Sequence, residues 1–172
     1  IGFHFSKDDG PVIERPIRGA RDLQGVRSID AAAELPYVME TIRLVRHELD
    51  LSIPLIGFSG APFTLASYIV EGGHSRNHAH VKRIMYEDPE TFTRLMDVIS
   101  TVVVDYLKAQ IAAGAQVVQL FDSWVGWVGP YDYERLVLPH VRSVVDQVKG
   151  EGAPVIYFGN GASAMLDLVG RA

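Results

Sequence analysis

The chain has 172 residues, of which 48% are hydrophobic and 22% are charged, a composition typical of a globular domain. It contains no cysteine, which excludes disulfides, thiolate catalysis and cysteine-ligated zinc within these residues. We find no apolar run long enough for a membrane span and no signal-peptide pattern, and the net charge of −5 argues against a nucleic-acid partner. We therefore expect a soluble cytoplasmic protein with a single domain.

The two ends of the sequence do not resemble natural domain boundaries. The first residue is Ile1, and residues 162–172 read as a helix that has only begun. We interpret the chain as an internal part of a longer protein.

A β-hairpin is predicted at the start of the chain. Residues 1–5 alternate weakly, Asp8-Asp9-Gly10-Pro11 is a strong turn signal, and residues 12–17 can return as a second strand. Pro16 places this second strand at a sheet edge. Residues 19–28 are predicted to be loop or a short helical turn.

Helical and strand patterns then alternate along the chain. Helices are predicted over 36–49, from 62 to the glycines at 72–73, over 81–86, from Asp88 to Gly114, and over 133–149 with a break at Pro139. Apolar runs predict strands over 53–58, 116–122 and 154–158. This order predicts a parallel sheet with right-handed crossovers, and both a doubly wound sheet and a (β/α)8 barrel fit it.

The segment GFSGAPFTLASYIVEGG, from Gly57 to Gly73, joins the first of these strands to its helix. Gly57 and Gly60 are expected to let the backbone turn sharply, and Pro62 suits the first helical turn. From spacing alone, a structural loop and a ligand-binding loop remain equally open.

The whole string, however, resembles the signature of the uroporphyrinogen decarboxylase family, G-F-x-G-x-P-aromatic-T-L-x-x-Y-x-x-E-G-G, at every position. The resemblance continues through GPVIERPIR, LFDSW and PVIYFGNG. It implies part of a (β/α)8 TIM barrel, with three strand–helix units after the hairpin, in about half of the enzyme. It also implies removal of CO2 from the acetate arms of uroporphyrinogen to give coproporphyrinogen, without cofactor or metal, by a homodimer.

Candidate site residues are found where the strands end, because parallel α/β proteins bind ligands at the carboxyl ends of their strands. The resemblance implies that Tyr68 and Ser123 bind the substrate and that Phe58, Gly60 and Phe121 line its pocket. Each has a plainer alternative. Tyr68 can be a half-buried helical tyrosine, Ser123 can cap a loop, and the two phenylalanines can belong to the core.

No catalytic residue is expected within these 172 residues. The aspartate, the arginine-rich motif and the late histidine of the family correspond to positions outside them, and Asp8, Asp9 and Asp122 are not expected to replace that aspartate. The chain alone is therefore predicted to be inactive. A barrel sector also has open edges and an exposed apolar face, which predicts self-association.

Three further groups of residues carry weaker signals: three histidines, the two tryptophans and a glycine-rich turn. His74, His78 and His80 form H-x3-H-x-H without a completing carboxylate or cysteine pattern, so a solvated loop is favoured over a metal site. Trp124 and Trp127 are expected at a subunit interface or at the rim of the pocket. Gly159-Asn160-Gly161 before a helix is a weak anion-binding signal.

Two alternative functions remain open. One is a corrinoid- or folate-linked methyltransferase of the same barrel superfamily, against which the absence of cysteine argues. The other is a non-catalytic porphyrin- or partner-binding barrel.

Overall fold

The computed structural model describes residues 2–6 and 10–172, and the first feature is the predicted hairpin. Strand β1 (Phe3–Ser6) pairs antiparallel with β2 (Gly10–Ile13). Gly10 and Pro11 lie in β2 rather than in the turn, and β2 ends at Ile13, four residues earlier than predicted. The Ile13 N–H, which points away from β1, donates to the carbonyl of Gly72 at 2.7 Å and joins the hairpin to the end of α3. The predicted turn residues Asp8 and Asp9 lie outside the described residues.

The remaining elements follow the predicted alternation. Helices are α1 (Ala31–Glu34), α2 (Pro36–Glu48), α3 (Pro62–Glu71), α4 (Ala79–Glu87), α5 (Pro89–Ala113), α6 (Pro130–Asp132), α7 (Leu138–Lys149) and α8 (Leu166–Val169). Strands are β3 (Ile56–Gly60), β4 (Val117–Asp122) and β5 (Val155–Gly159), and short 3-10 turns cover Asp22–Gly25, Val125–Trp127 and Ser163–Met165.

The sheet is parallel, with the order β3-β4-β5. Alternate residues of each strand point to opposite faces of such a sheet. On one face, which we call the outer face, Val118 and Leu120 are fully buried in the hydrophobic core. On the other, the inner face, Phe58, Phe121 and Phe158 are exposed. Helices therefore cover one face only, as in a sector of a barrel and unlike a doubly wound sheet, in which both faces are covered.

Helix α5 is much longer than the strands beside it. Its 25 residues span about 37 Å, whereas the six residues of β4 span about 20 Å. Near the end of α5, the side chain of Gln110 binds Phe58 in the middle of β3. The first half of α5 therefore projects beyond the carboxyl ends of the strands, and α3 and α4 pack against it there.

Gln110 also occupies the edge of β3 that faces away from β4. The backbone groups of Leu55 and Ala61 bond towards β4, so those of Phe58 point to the opposite side. The Phe58 N–H donates to Gln110 Oε1 and the Phe58 carbonyl accepts from Gln110 Nε2, both at 2.9 Å. We expected this sheet edge to be open, but the backbone N–H and carbonyl groups at its centre find their hydrogen-bond partners in a side chain.

This contact also explains why residue 57 is a glycine, where we predicted a sharp turn of the backbone. Gly57 and Gly60 both lie within β3, and neither has a positive φ. A Cβ on Gly57 would come within 2.6 Å of Gln110 Oε1 and 3.1 Å of the Ala115 Cβ. Gly57 therefore allows α5 to approach the strand, and the positive φ occurs instead at Gly72, where α3 ends.

The predicted break in the last long helix precedes Pro139 rather than lying at it. Residues Tyr133–Val137 form one π-helical stretch, and α7 begins at Leu138. Pro139 has no N–H to donate to the carbonyl of Arg135, so the regular helical ladder is interrupted one turn before the proline.

Within the described part of the chain, no helix combines the length and the apolar character needed to cross a membrane.

Candidate functional site

Three phenyl rings form a row across the inner face of the sheet. The Phe58 and Phe121 ring centroids are 5.7 Å apart, those of Phe121 and Phe158 are 5.9 Å apart, and both pairs meet edge to face. Phe58 is 60% exposed, Phe121 37% and Phe158 47%. Phe58 and Phe121 therefore lie outside the hydrophobic core of the described residues and contribute to an exposed aromatic surface, whereas their role as pocket residues stays a prediction.

The loops that follow the strands are joined to one another through their backbones. The Ala61 N–H donates to the carbonyl of Phe121 at 2.9 Å, the Asn160 N–H to that of Asp122 at 3.1 Å, and the Gly126 N–H to that of Asn160 at 3.0 Å. A Cβ on Gly126 would lie 2.7 Å from the Asn160 oxygen, so only glycine allows this approach. The backbone of Asn160 both donates and accepts a hydrogen bond, so Gly159-Asn160-Gly161 joins the loop after β5 to the loop after β4.

The five predicted site residues all belong to this end of the sheet. Phe58 and Gly60 both lie in β3, Gly60 is in register with Phe121 on the neighbouring strand β4, and Ser123 follows β4 directly. Tyr68, on α3, contacts Trp124 with ring centroids 5.9 Å apart. Tyr68 and Ser123 are both partly exposed. Four of the five thus lie in or directly after β3 and β4, Tyr68 contacts the residue that follows Ser123, and the binding of substrate by all five remains a prediction.

Behind the site, on the outer face, Asp122 is the centre of a buried hydrogen-bond network. The Thr64 hydroxyl donates to its Oδ1 at 2.7 Å, and the Tyr157 hydroxyl to its Oδ2 at 2.8 Å. Tyr133 donates to the Tyr157 oxygen at 3.3 Å, and the Trp124 N–H donates to the Thr64 oxygen at 3.2 Å. The network thus ties the start of α3 to the loop that carries Ser123.

Burial dominates the protonation of this network. It raises the pKa of Asp122 to about 6, although the hydrogen bonds from Thr64 and Tyr157 oppose that rise. Burial and the nearby Asp122 carboxyl also raise the pKa of Tyr157 far above its usual range. Because Asp122 is 0% exposed and points away from the inner face, it does not contact a ligand bound there.

The histidine-rich loop differs from its prediction at one residue. His74 and His80 are exposed, as expected, but His78 is 2% exposed and packs between the rings of Trp124 and Trp127. Our prediction of a solvated loop is therefore wrong for His78, because two aromatic rings from the distant β4 loop cover it. Among residues 2–6 and 10–172, no cluster of three or more His, Asp or Glu side chains has a metal-binding arrangement.

Sequence reasoning missed several residues of the site and its support. Phe158 extends the aromatic row; the strand-end rule had selected residues 158–161, but Phe158 was not named as a pocket residue. Thr64 lies inside the recognised signature, whereas the roles of Tyr157 and Tyr133 depend on burial around Asp122, for which a single sequence gives no signal.

An apolar cavity of about 390 Å³ lies elsewhere, among the outer helices. Its lining includes Val26 from the loop before α1, Leu65 from α3 and Val98 from α5, and no residue of the strands. Because it does not share the polar groups at the strand ends, it is the weaker candidate for a reactive site.

Comparison with known proteins supplies the family. The family model described as "Uroporphyrinogen decarboxylase (URO-D)" matches residues 1–172. A uroporphyrinogen decarboxylase of Carboxydothermus hydrogenoformans is 56% identical over 172 residues, which are 100% of this chain and 49% of that protein. One of Syntrophotalea carbinolica is 52% identical over 162 residues, 94% of this chain and 47% of that protein. The chain thus spans about half the length of the curated relatives it matches.

Among solved structures, a methyltransferase from Methanosarcina mazei matches with a TM-score of 0.75, covering 97% of this chain and 50% of that one. Its sequence identity of 18% supports a shared fold alone. The predicted sector of a (β/α)8 barrel, with its hairpin and three strand–helix units, is confirmed. The chain belongs to the uroporphyrinogen decarboxylase family.

Proposed function

We propose that these residues form part of an enzyme that removes CO2 from the acetate side chains of uroporphyrinogen and yields coproporphyrinogen. The observation that carries this proposal is the row of Phe58, Phe121 and Phe158 on the inner face, beside the loops of Tyr68 and Ser123. Edge-to-face rings offer an extended apolar surface of the kind that a flat, flexible macrocycle can contact.

The chemistry explains why an apolar surface is useful. When the C–CO2 bond breaks, its electron pair must be accepted, and a pyrrole protonated on a ring carbon accepts it. Protonation of the resulting methylene carbon to a methyl group and loss of the ring proton then complete the replacement of CO2 by a proton. The carboxylate loses its charge as CO2 forms, so an environment that solvates the carboxylate poorly favours the step. The aromatic row excludes water from the reacting acetate, and the hydroxyls of Tyr68 and Ser123 hold the macrocycle or its acid arms by hydrogen bonds.

The other components of the active site, and the working form of the whole enzyme, are also proposals. The family resemblance assigns the carboxylate that faces the pyrrole N–H groups, and the arginines that bind peripheral carboxylates, to positions outside this chain. We therefore expect no turnover by the 172 residues alone, and a cytoplasmic homodimer as the working form of the whole enzyme. The methyltransferase alternative finds no specific support at this site, because its structural neighbour shares the fold alone.

The test is an anaerobic assay of a full-length enzyme that carries these residues, with uroporphyrinogen as substrate and chromatography of the products. Stepwise loss of carboxylates to coproporphyrinogen is expected, and a folded enzyme that forms no product would contradict the proposal.

Two substitutions test the assigned hydroxyls in the same assay. Tyr68→Phe and Ser123→Ala each remove one hydrogen bond to a charged substrate, which is worth about 1.5–3 kcal/mol and lowers kcat/KM roughly tenfold to a hundredfold. Tyr86→Phe is the matched control, because the Tyr86 hydroxyl donates to Asp132, outside the proposed site. If Tyr68→Phe and Tyr86→Phe behave alike, the role assigned to Tyr68 is wrong.

A further inference from the structure

His78 occupies an unusual position immediately before α4. Its φ is 52°, and among the described residues other than glycine it alone has a positive φ. It is also 2% exposed, although it belongs to a polar and basic segment, HSRNHAHVKR. The position of this imidazole is therefore set by the residues that bury it and not by the regular backbone of α4.

Those surroundings are the two tryptophans of the chain. The His78 ring centroid is 5.2 Å from that of Trp124 and 5.4 Å from that of Trp127, and both pairs are tilted by 45°. Trp124 in turn contacts Tyr68, and Ser123 precedes Trp124 in the chain. His78 thus lies at the end of a chain of contacts that leads to both hydroxyls proposed to bind substrate.

Packing alone does not account for an imidazole here. Neither Nδ1 nor Nε2 of His78 has a hydrogen-bond partner among the described residues, although both atoms are buried. A phenyl ring would make the same ring contacts without the cost of two unpaired polar atoms. With histidine at position 78, the residues that support the site include a group that can change its charge.

The charged groups around His78 act in both directions. Glu71, whose carboxylate accepts the Val81 N–H, favours the imidazolium, whereas Lys82 and His74 oppose it. The Lys82 ammonium lies 5.6 Å from the Trp127 ring centroid, on the same aromatic cluster. Burial is the largest influence and lowers the pKa of His78 below its usual value, so the imidazole is neutral at pH 7.

We propose that His78 is a positioning residue whose neutral ring holds Trp124 and Trp127 in place, and that protonation of this ring releases them and misaligns Tyr68 and Ser123. The inference rests on the proposed function for its effect on turnover, but not for its effect on the tryptophans. It predicts an acid limb in the activity of the enzyme that belongs to His78, a residue without direct contact to substrate.

The first test uses the 172-residue chain and its own tryptophan emission. Release of the two indoles from the His78 ring exposes them to water, so the tryptophan emission should shift to longer wavelength in one step as the pH is lowered from about 7.5 to about 4.5. His78→Phe keeps a flat ring and should lack the step, whereas His80→Asn, at an exposed neighbour, should retain it. Constant emission in the unsubstituted chain, or an unchanged step in His78→Phe, would overturn the proposal.

The second test measures the pH profile of kcat/KM in the full-length enzyme. His78→Asn tolerates the left-handed backbone but removes the ring contacts, and it should lower kcat/KM about tenfold through misplacement of binding groups. His78→Phe should show a weaker decline of kcat/KM towards acid pH, measured relative to its own value at pH 7.5. A role in stability alone would leave the acid limb unchanged, and that result would overturn the proposal.

The two tests also separate the inference from the proposed function. If the full-length enzyme does not decarboxylate uroporphyrinogen at all, the proposed function fails, and the emission experiment still decides whether His78 controls the tryptophans.

Discussion

The two faces of the three-stranded sheet are both apolar, yet they do different things. On the outer face, Val118 and Leu120 are 0% exposed in the hydrophobic core, and β4 packs there against α3 and α5. On the inner face, Phe58, Phe121 and Phe158 are equally hydrophobic but remain accessible. Among the described residues, hydrophobicity therefore does not distinguish the buried core from the exposed inner face, and what distinguishes them is whether a helix covers the face.

The largest effect should come from breaking the outer face. Leu120→Ala removes a fully buried side chain and should lower the free energy of unfolding by about 2–5 kcal/mol. Phe58→Ala, on the inner face, should change it by less than about 1 kcal/mol, because that ring is already 60% exposed. Urea denaturation of the 172-residue chain measures both, and equal losses would show that the faces are not distinct in energy.

The next effect concerns Asp122, the polar group on the outer face. Asp122→Ala leaves the buried hydroxyls of Thr64 and Tyr157 without their acceptor and should cost about 2–4 kcal/mol. Asp122→Asn should cost less, because an amide can still accept from Thr64 and the Tyr157 hydroxyl can reorient towards Tyr133. Equal losses in the two variants would contradict the role given to these hydrogen bonds.

The same residue makes a pH-dependent prediction. The pKa of Asp122 is raised from 3.8 to about 6 in the folded state, so between these values the unfolded state ionises first. Stability from this residue is complete below about pH 4 and is lost as the pH rises to about 6. The difference in unfolding free energy between the unsubstituted chain and Asp122→Asn should change across this window by on the order of 2–3 kcal/mol. A difference that is independent of pH would contradict the burial of an ionisable Asp122.

A smaller effect is expected from the exposure of the inner face. The 172-residue chain should self-associate, because the aromatic row and neighbouring apolar side chains such as Ile56 and Ile156 can be buried between copies. Sedimentation equilibrium should give an apparent mass that rises with concentration. Replacing Phe58, Phe121 and Phe158 by serine should weaken association about tenfold or more. Serine at the exposed outer positions Tyr37 and Tyr86 is the control, and an equal effect there would locate the contact elsewhere.

These comparisons also explain how far the sequence could be interpreted. The order of strands and helices follows from periodicity, and Asp88 and Gly114 were predicted as the ends of α5, where the Asp88 side chain accepts the Thr91 N–H and Gly114 has a positive φ. The resemblance to the family selected five site residues, of which four lie in or directly after β3 and β4 and Tyr68 lies on α3. Local patterns of this kind need no knowledge of distant contacts.

Three features that escaped prediction depend on contacts between distant segments or on which face a helix covers. Gly57 reads as a turn residue, but it is required because Gln110 approaches it from α5. His78 reads as solvated, but two rings from the β4 loop bury it. A phenylalanine in a strand has the same local pattern on either face, so the exposure of Phe58 and Phe121 could not be distinguished from burial.

The most direct test of the account compares two neighbours on β4 that point to opposite faces. In the full-length enzyme, Phe121→Ala should lower kcat/KM for uroporphyrinogen about tenfold or more and leave the thermal midpoint nearly unchanged. Leu120→Ala should lower the thermal midpoint by several degrees and leave kcat/KM nearly unchanged at a temperature where the enzyme stays folded. If Phe121→Ala keeps full kcat/KM, the inner face is not the substrate surface and the central claim is contradicted.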